Sequence, residues 1–282
     1  MSVFNLCSGD PVMKLLKKTF QATPIRIPEE RFKPLGAIAA KGDTHKFFGR
    51  IENLLTVTTP FDKEPDISQM ADVSGTKTKE VDFDLGFELL SGFLRGMGME
   101  GASLKASFSG VQKVSFSFQD VKRHHLDIGE LGNFFAGKQF NKENPAARLF
   151  MEQEATCLIV DSTIVSNNFT INAEKLSDNS VQIDVPAIQQ IIGDLNAGIT
   201  VKSSGSTSIS FTGPTPLAFA FSAIRCEVDE DGFISFGLTR ELRPVDAEDG
   251  TEAPPGVYVY PESSMIELEV VNVDKDVAAP QD

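Results

Sequence analysis

The feature that most constrains this chain is a long stretch of alternation between residues 102 and 118. Ala102, Leu104, Ala106, Phe108, Val114, Phe116 and Phe118 fall on even positions, while Ser103, Lys105, Ser107, Ser109, Lys113, Ser115 and Ser117 fall on odd ones. Successive side chains of an extended strand point to opposite faces, so the pattern predicts a ribbon with one apolar and one polar face. It runs for about 17 residues, where a typical strand has about 5–6. Just upstream, Val81, Phe83, Leu85, Phe87 and Leu89 alternate with Asp82, Asp84, Gly86 and Glu88. A second pair repeats the device: Val165, Phe169, Ile171 and Ala173 in one segment, Ile199, Val201, Ile209 and Phe211 in the next. Ribbon pairs are therefore expected over about 81–118 and 162–211.

Helical signals are fewer and short. Pro186 precedes Ile188, Ile191, Ile192 and Leu195, a helix between two ribbons; residues 127–136 and the Asn144-Pro145 start predict two more. Near the N-terminus Asp10 and Pro11 open a helix over about 10–20, with Val12, Leu15, Leu16 and Phe20 on one face and Lys14, Lys17 and Lys18 on the other. Leu217 to Ile224 reads as a buried strand, turned at Asp231-Gly232 into Phe233–Phe236. Residues 239–256 are rich in Pro, Gly and acid and read as an exposed linker; Val257–Tyr260 and Met265–Val271 are short strand-like pieces beyond it. The fold class expected is α+β, a twisted, mainly antiparallel sheet with short helices.

Charge divides the chain. The formal net charge is -14, which argues against a nucleic-acid partner. Residues 1–50 nevertheless carry nine Lys/Arg against four Asp/Glu, and residues 245–282 carry one Lys against ten acidic residues. A basic front and an acidic tail suit an anionic partner for the former, and Lys14, Lys17 and Lys18 are the candidate membrane-contact residues. No apolar run reaches the roughly 18 residues of a spanning helix, and no signal-peptide pattern opens the chain. The three cysteines, Cys7, Cys157 and Cys226, lie far apart without a CxxC, so neither a disulfide framework nor a zinc ribbon is expected. Cys7 stands five residues before Val12, the first apolar residue of the basic helix, where a fatty acyl group would sit beside a membrane-seeking surface.

Catalytic signatures are weak. Gly96, Gly98 and Gly101 spell GxGxxG, but a strand-like pattern follows where a dinucleotide site needs a helix, so the segment reads as a hairpin tip. Glu227, Asp229, Asp231 and Gly232 imitate the front of a calcium loop that lacks its final Glu, Leu238 standing there. His124 and His125 are adjacent, which in a strand sends them to opposite faces. No GxSxG, P-loop or HExxH occurs, so neither an enzyme nor a metal or cofactor site is expected.

Taken in order, CSGDP with the basic helix, VSFSFQDVKRHHLDIGEL, ATCLIVDSTIVSNNFTI and GSTSISFTGPTPLAFAFSAIRCEV resemble a gasdermin of the short bacterial kind, over most of residues 1–240. The resemblance implies a gasdermin N-terminal-domain-like pore-forming domain over 1–243, a protease-sensitive linker over 239–256 and a short autoinhibitory tail over 257–282. It also implies an acyl group, palmitoyl, on Cys7 and an activating protease of caspase-like type. Arg243, Asp246 and Asp249 are candidate residues before the scissile bond. On that reading a monomeric cytoplasmic precursor loses its tail and forms a large ring-shaped homo-oligomer. The ring becomes a transmembrane β-barrel in the anionic inner membrane, killing the cell in antiphage defence. A membrane strand needs only about 9–11 residues, which each ribbon can supply. Val81, Phe83, Leu85, Phe87, Leu104 and Phe108 are the candidate lipid-facing residues. Two other readings stay open: a soluble β-rich lipid-binding or structural module without pore activity, and a hydrolase using polar groups near His124 or Asp161.

Overall fold

The computed structural model describes residues 22–236, apart from 42–43, 72–73, 79, 100, 175–181 and 196–197, together with 269–270. The strands are β1 (Thr23–Glu29), β2 (Gly36–Lys41), β3 (Thr44–Arg50), β4 (Asp66–Gln69), β5 (Val81–Asp82), β6 (Phe108–Ser109), β7 (Lys113–Gln119) and β8 (Lys122–His125). They continue with β9 (Thr156–Glu174), β10 (Gln182–Ile183), β11 (Thr200–Ser203), β12 (Ser208–Val228), β13 (Ile234–Phe236) and β14 (Glu269–Val270). The α-helices among the described residues are α1 (Phe83–Gly96), α2 (Ile128–Phe135), α3 (Pro145–Met151) and α4 (Val185–Leu195); a 3-10 turn covers Gly101–Ser107.

Two very long strands, β9 and β12, run antiparallel from Asn172↔Ser208 to Cys157↔Cys226 and form the spine of the main sheet. Each borders three shorter partners in succession: β2, β8 and β7 along the free edge of β9, and β13, β1 and β11 along that of β12. The spine register shifts between Thr212 and Leu217 and again between Ser222 and Ala223. Opposite these shifts β9 passes from β7 to β8 and from β8 to β2. An extra residue on one strand bends and twists it, which is what a strand needs where its flank changes hands.

Side-chain alternation along β9 then serves two cores at once. Cys157 and Ile159 face a core closed by α2 and α3, with Leu131, Phe135, Phe140 and Phe150; Leu158 and Val160 face another, with Ile25, Phe32 and Phe221. The far half of the spine is covered by α1, α4 and the 3-10 turn around Phe93, Phe116, Phe169 and Phe211. Asp127 caps α2 through Glu130 N–H and Asn144 caps α3 through Ala146 N–H, with Pro145 in the first turn, as the sequence predicts. The expected helix after Pro186 and strands after Leu217 and Phe233 are likewise present.

The first ribbon pair differs. Val81–Asp82 pairs with Lys113–Gln119 and the short β6 pairs with β10, while most of the rest folds as α1 and the 3-10 turn. The alternation over 81–89 coexists with a helical stripe that emerges once the segment is read further: Phe87, Leu90 and Leu94, joined by Phe93, are all buried. The glycine-rich end is a helix stop rather than a hairpin tip. Met99 N–H donates to Leu94 O and Gly98 N–H to Arg95 O, with Gly98 at φ +85°, a Schellman arrangement.

Docking of α1 depends on bare backbone. A Cβ on Gly86 would collide with Val114, and one on Gly96 with the carbonyl oxygen of Pro28. Gly132 in α2 has only a Phe236 ring carbon at 4.0 Å. Gly96→Ala is therefore expected to lower stability by about 1–3 kcal/mol, through overpacking against backbone. Gly132→Ala should be neutral or stabilising by up to about 1 kcal/mol; urea unfolding of both variants checks the opposite signs.

Candidate functional site

The six residues expected to face lipid lie together in the closed fold. Val81, Phe87, Leu104 and Phe108 are buried in one cluster, and Phe83 and Leu85 are half-buried against it. Phe83 lies 5.5 Å from both Phe87 and Phe108, ring centre to ring centre, and Phe87 lies 5.9 Å from Phe108. These contacts fasten α1 to the strand that follows the 3-10 turn. Lys105 closes the outside, 2.6 Å from Asp84 and 5.9 Å above the Phe87 ring. The helix so held has three glycines, Gly86, Gly92 and Gly96, and three phenylalanines in 14 residues. Each glycine disfavours an isolated helix by about 1 kcal/mol relative to Ala, so tertiary contacts sustain α1 more than its own propensity does.

The second pair is built differently. Val165, Phe169, Ile171, Ala173, Ile199, Ile209 and Phe211 are buried and Val201 is half-buried, in or against the sheet and its helical cover. The segment between β9 and β12 is taken up partly by α4, whose Ile188 and Ile192 are buried in the same cluster.

At the other end of the sheet, β14 pairs in parallel with β3, Glu269 opposite Lys46 and Val270 opposite Phe47. Two residues of the acidic tail thus extend the edge of the main sheet beyond β3. An open sheet edge is a template for further strands, so a short strand laid along it blocks that pairing. β14 falls within the strand-like Met265–Val271 piece expected from sequence, but nothing in the pattern THKFFGR marks β3 as the receiving edge.

Polar groups gather where β8 meets the spine. Asp161 falls at the register shift of β9; its carbonyl accepts from Leu126 N–H and its Oδ2 from the Ser222 hydroxyl at 3.0 Å. Burial pushes its carboxyl up to about 6, against the opposing pull of Ser222, Arg123 and His125. Asp161 Oδ1 and His125 Nδ1 make no hydrogen bond among the described residues. His124, on the other face, has its pKa lowered by burial and by Lys122 and Lys33. The hydroxyl of Ser222 bonds straight to a carboxylate instead of an imidazole, so no nucleophile–base relay is assembled. Asp229 Oδ1, in the calcium-loop imitation, accepts from Asp231 and Phe233 N–H and simply closes a turn.

This arrangement has known counterparts. The family model described as "Bacterial Gasdermin Family" matches residues 25–233, well over half of the chain. The chain belongs to the bacterial gasdermin family. It is 28% identical over 226 residues to a gasdermin of a Vitiosangium strain, covering 79% of this chain and 83% of that protein. It is 30% identical over 240 residues to one from a Desulfuromonadales bacterium, covering 84% and 87%. Among solved structures, a bacterial gasdermin from Bradyrhizobium tropiciagri superposes with TM-score 0.56 at 12% identity, covering 93% of this chain and 98% of that one, which shows a shared fold. The family is one of pore-forming proteins, not enzymes. No helix among the described residues is long and apolar enough to cross a membrane, which says nothing of crossing by strands.

Cys7, Lys14, Lys17, Lys18, Arg243, Asp246 and Asp249 lie outside the described residues, as do the expected N-terminal helix, the 239–256 linker and most of the tail.

The Asp161 environment sets a pH dependence. A carboxyl raised to about 6 in the fold and near its ordinary value when unfolded contributes stability fully below about 4, and that contribution is lost as pH rises through 6. The amplitude is on the order of 3 kcal/mol. Asp161→Asn should therefore flatten the difference in stability between pH 4 and pH 7 relative to the parent chain, measured by denaturant unfolding at several pH values.

Proposed function

We propose that the chain is the autoinhibited precursor of a membrane pore, activated when a protease removes its C-terminal tail. The observation that carries this reading is the conflict over residues 81–107, where strand-like alternation is held in helix and 3-10 turn by tertiary contacts. Alternation of apolar and polar residues is what a lipid-facing barrel strand requires, and the closed fold covers the apolar set. Once α1 undocks, Val81 to Ser107 can extend and join β7, and α4 can extend between β9 and β12. A closed barrel of such hairpins satisfies every backbone group within the bilayer.

The tail supports the control half of the proposal. Its strand occupies the β3 edge, and cutting within 239–256 would detach that strand together with much of the net charge of -9 that residues 245–282 carry. Arg243, Asp246 and Asp249 remain the candidate cleavage positions and a caspase-like protease the candidate partner. Palmitoyl on Cys7, with Lys14, Lys17 and Lys18, would direct the freed domain to an anionic inner membrane. There it assembles a ring of its own copies and kills the infected cell.

A chain ending near residue 245 should release dye from anionic liposomes and be toxic on expression, while the full chain does neither. A harmless, monomeric truncated chain would instead favour a soluble β-rich module. Leu104→Asp and Phe108→Asp are poor probes of the lipid face, because both side chains are buried in the closed form. Phe83 is only half-buried and separates the two effects. Phe83→Asp removes one half-buried ring of the α1 anchor, so the full chain should keep its secondary structure with a lowered melting temperature. Leakage by the truncated chain should fall at least tenfold, since an acidic residue in the lipid face costs up to about 2 kcal/mol per strand. Circular dichroism of the variant precursor and dye release together test it.

A further inference from the structure

Cys157 and Cys226, 69 positions apart in sequence, are direct partners in the β9–β12 ladder. Directly opposed residues of an antiparallel pair project to the same face with Cα atoms about 4.5–5.5 Å apart. A disulfide needs Cα atoms roughly 4.4–6.8 Å apart, so the ladder already supplies its geometry without moving backbone. Burial and the neighbouring Cys157 thiol both raise the Cys226 pKa, as expected of two side chains that share one face of the ladder. Both are free thiols in the fold, buried at 2% and 4% exposure.

Burial alone would isolate them, but a cavity of about 350 Å³ opens beside them, lined by both cysteines with Phe150, Gln153, Arg225 and Glu227. Arg225 and Glu227 are exposed, so the cavity communicates with solvent at the ladder's end. Ala39, a small residue, is the ladder neighbour of Cys157 on the β2 side. Nothing in the proposed pore mechanism uses this pair.

We propose that Cys157 and Cys226 are an oxidisable dithiol, closed to a disulfide by a hydroperoxide that enters through this cavity. One thiol loses its proton and its sulfur attacks the peroxide O–O bond, giving a sulfenic acid and, with the released proton, one molecule of water or alcohol. The second thiol attacks that sulfenic sulfur; the S–S bond forms, the S–O bond breaks, and the hydroxyl leaves with the second proton as water. Two electrons pass from the two sulfurs to the peroxide, which is thereby reduced. Burial pushes the Cys226 thiol up, which keeps the pair reduced and slow to react under ordinary conditions. The product is a covalent staple between the start of β9 and the end of β12. It constrains the unfolded chain across the whole 157–226 loop.

The test uses the full chain with Cys7→Ser, so that only these two of its three cysteines remain, and the wild-type chain in parallel. After hydrogen peroxide treatment of the folded protein, intact mass should fall by two hydrogens, and a digest should contain a peptide joining Cys157 to Cys226. Denatured maleimide labelling should drop from two groups to none, dithiothreitol should restore both, and the oxidised chain should melt several degrees higher. Cys157→Ala should abolish the mass change. Should the Cys7→Ser chain fail to fold, the wild-type digest decides by the same linked peptide. Two persistent free thiols, a sulfinic acid at either position, or a link from Cys7 to one of the pair would each overturn the proposal.

Discussion

Pairing between β9 and β12 is the interaction on which every other part of the fold leans. Each strand has a second edge, and three partners share it in turn, so six shorter strands take their positions from this one ladder. A ladder of this length could not remain regular and also serve so many neighbours. The register shifts near Gly213 and Asp161 divide it into segments, each with its own flanking strands. Local twist at such irregularities lets one sheet present three cores without a domain boundary. Asp161 marks the energetic side of this solution, a carboxyl placed where the ladder is interrupted and held with its pKa raised by burial.

The spine and its caps were legible from the residues. Phe169, Ile171, Ile209 and Phe211 alternate as buried strand residues, and Asn144-Pro145 and Asp127 begin helices where local chemistry places them. Residues 81–107 were not. Their period-two pattern is real, yet Leu90, Phe93 and Leu94 add a helical stripe, and the choice between the two depends on contacts of α1 with Pro28, Phe108 and Val114, none of them a neighbour of α1 in sequence. Register across strands was also hidden. Spacing along the chain separates Cys157 from Cys226 and says nothing about β3 meeting Glu269–Val270, because both are consequences of how the sheet closes.

A helix that contains three glycines and is anchored by contacts with little room for a Cβ behaves differently from one sustained by propensity. Its stability is borrowed from the surface it docks on, so undocking and unwinding of α1 are expected to occur as one event. Gly213 shows the same economy on the partner side, where a Cβ would strike the Met97 sulfur just beyond the end of α1.

The tail strand raises a question of concentration. A parallel ladder of two residues offers few hydrogen bonds, and a free peptide making only those contacts would bind feebly. While the backbone between β13 and β14 is unbroken, the strand is confined near its edge at an effective concentration on the order of millimolar. One hydrolysed peptide bond turns that intramolecular contact into a bimolecular one at the dilution of the surrounding solution. On the proposed cleavage, the weakness of the contact would make the step directional: the detached segment would drift away without recapture, and no energy input would be needed to pull it off.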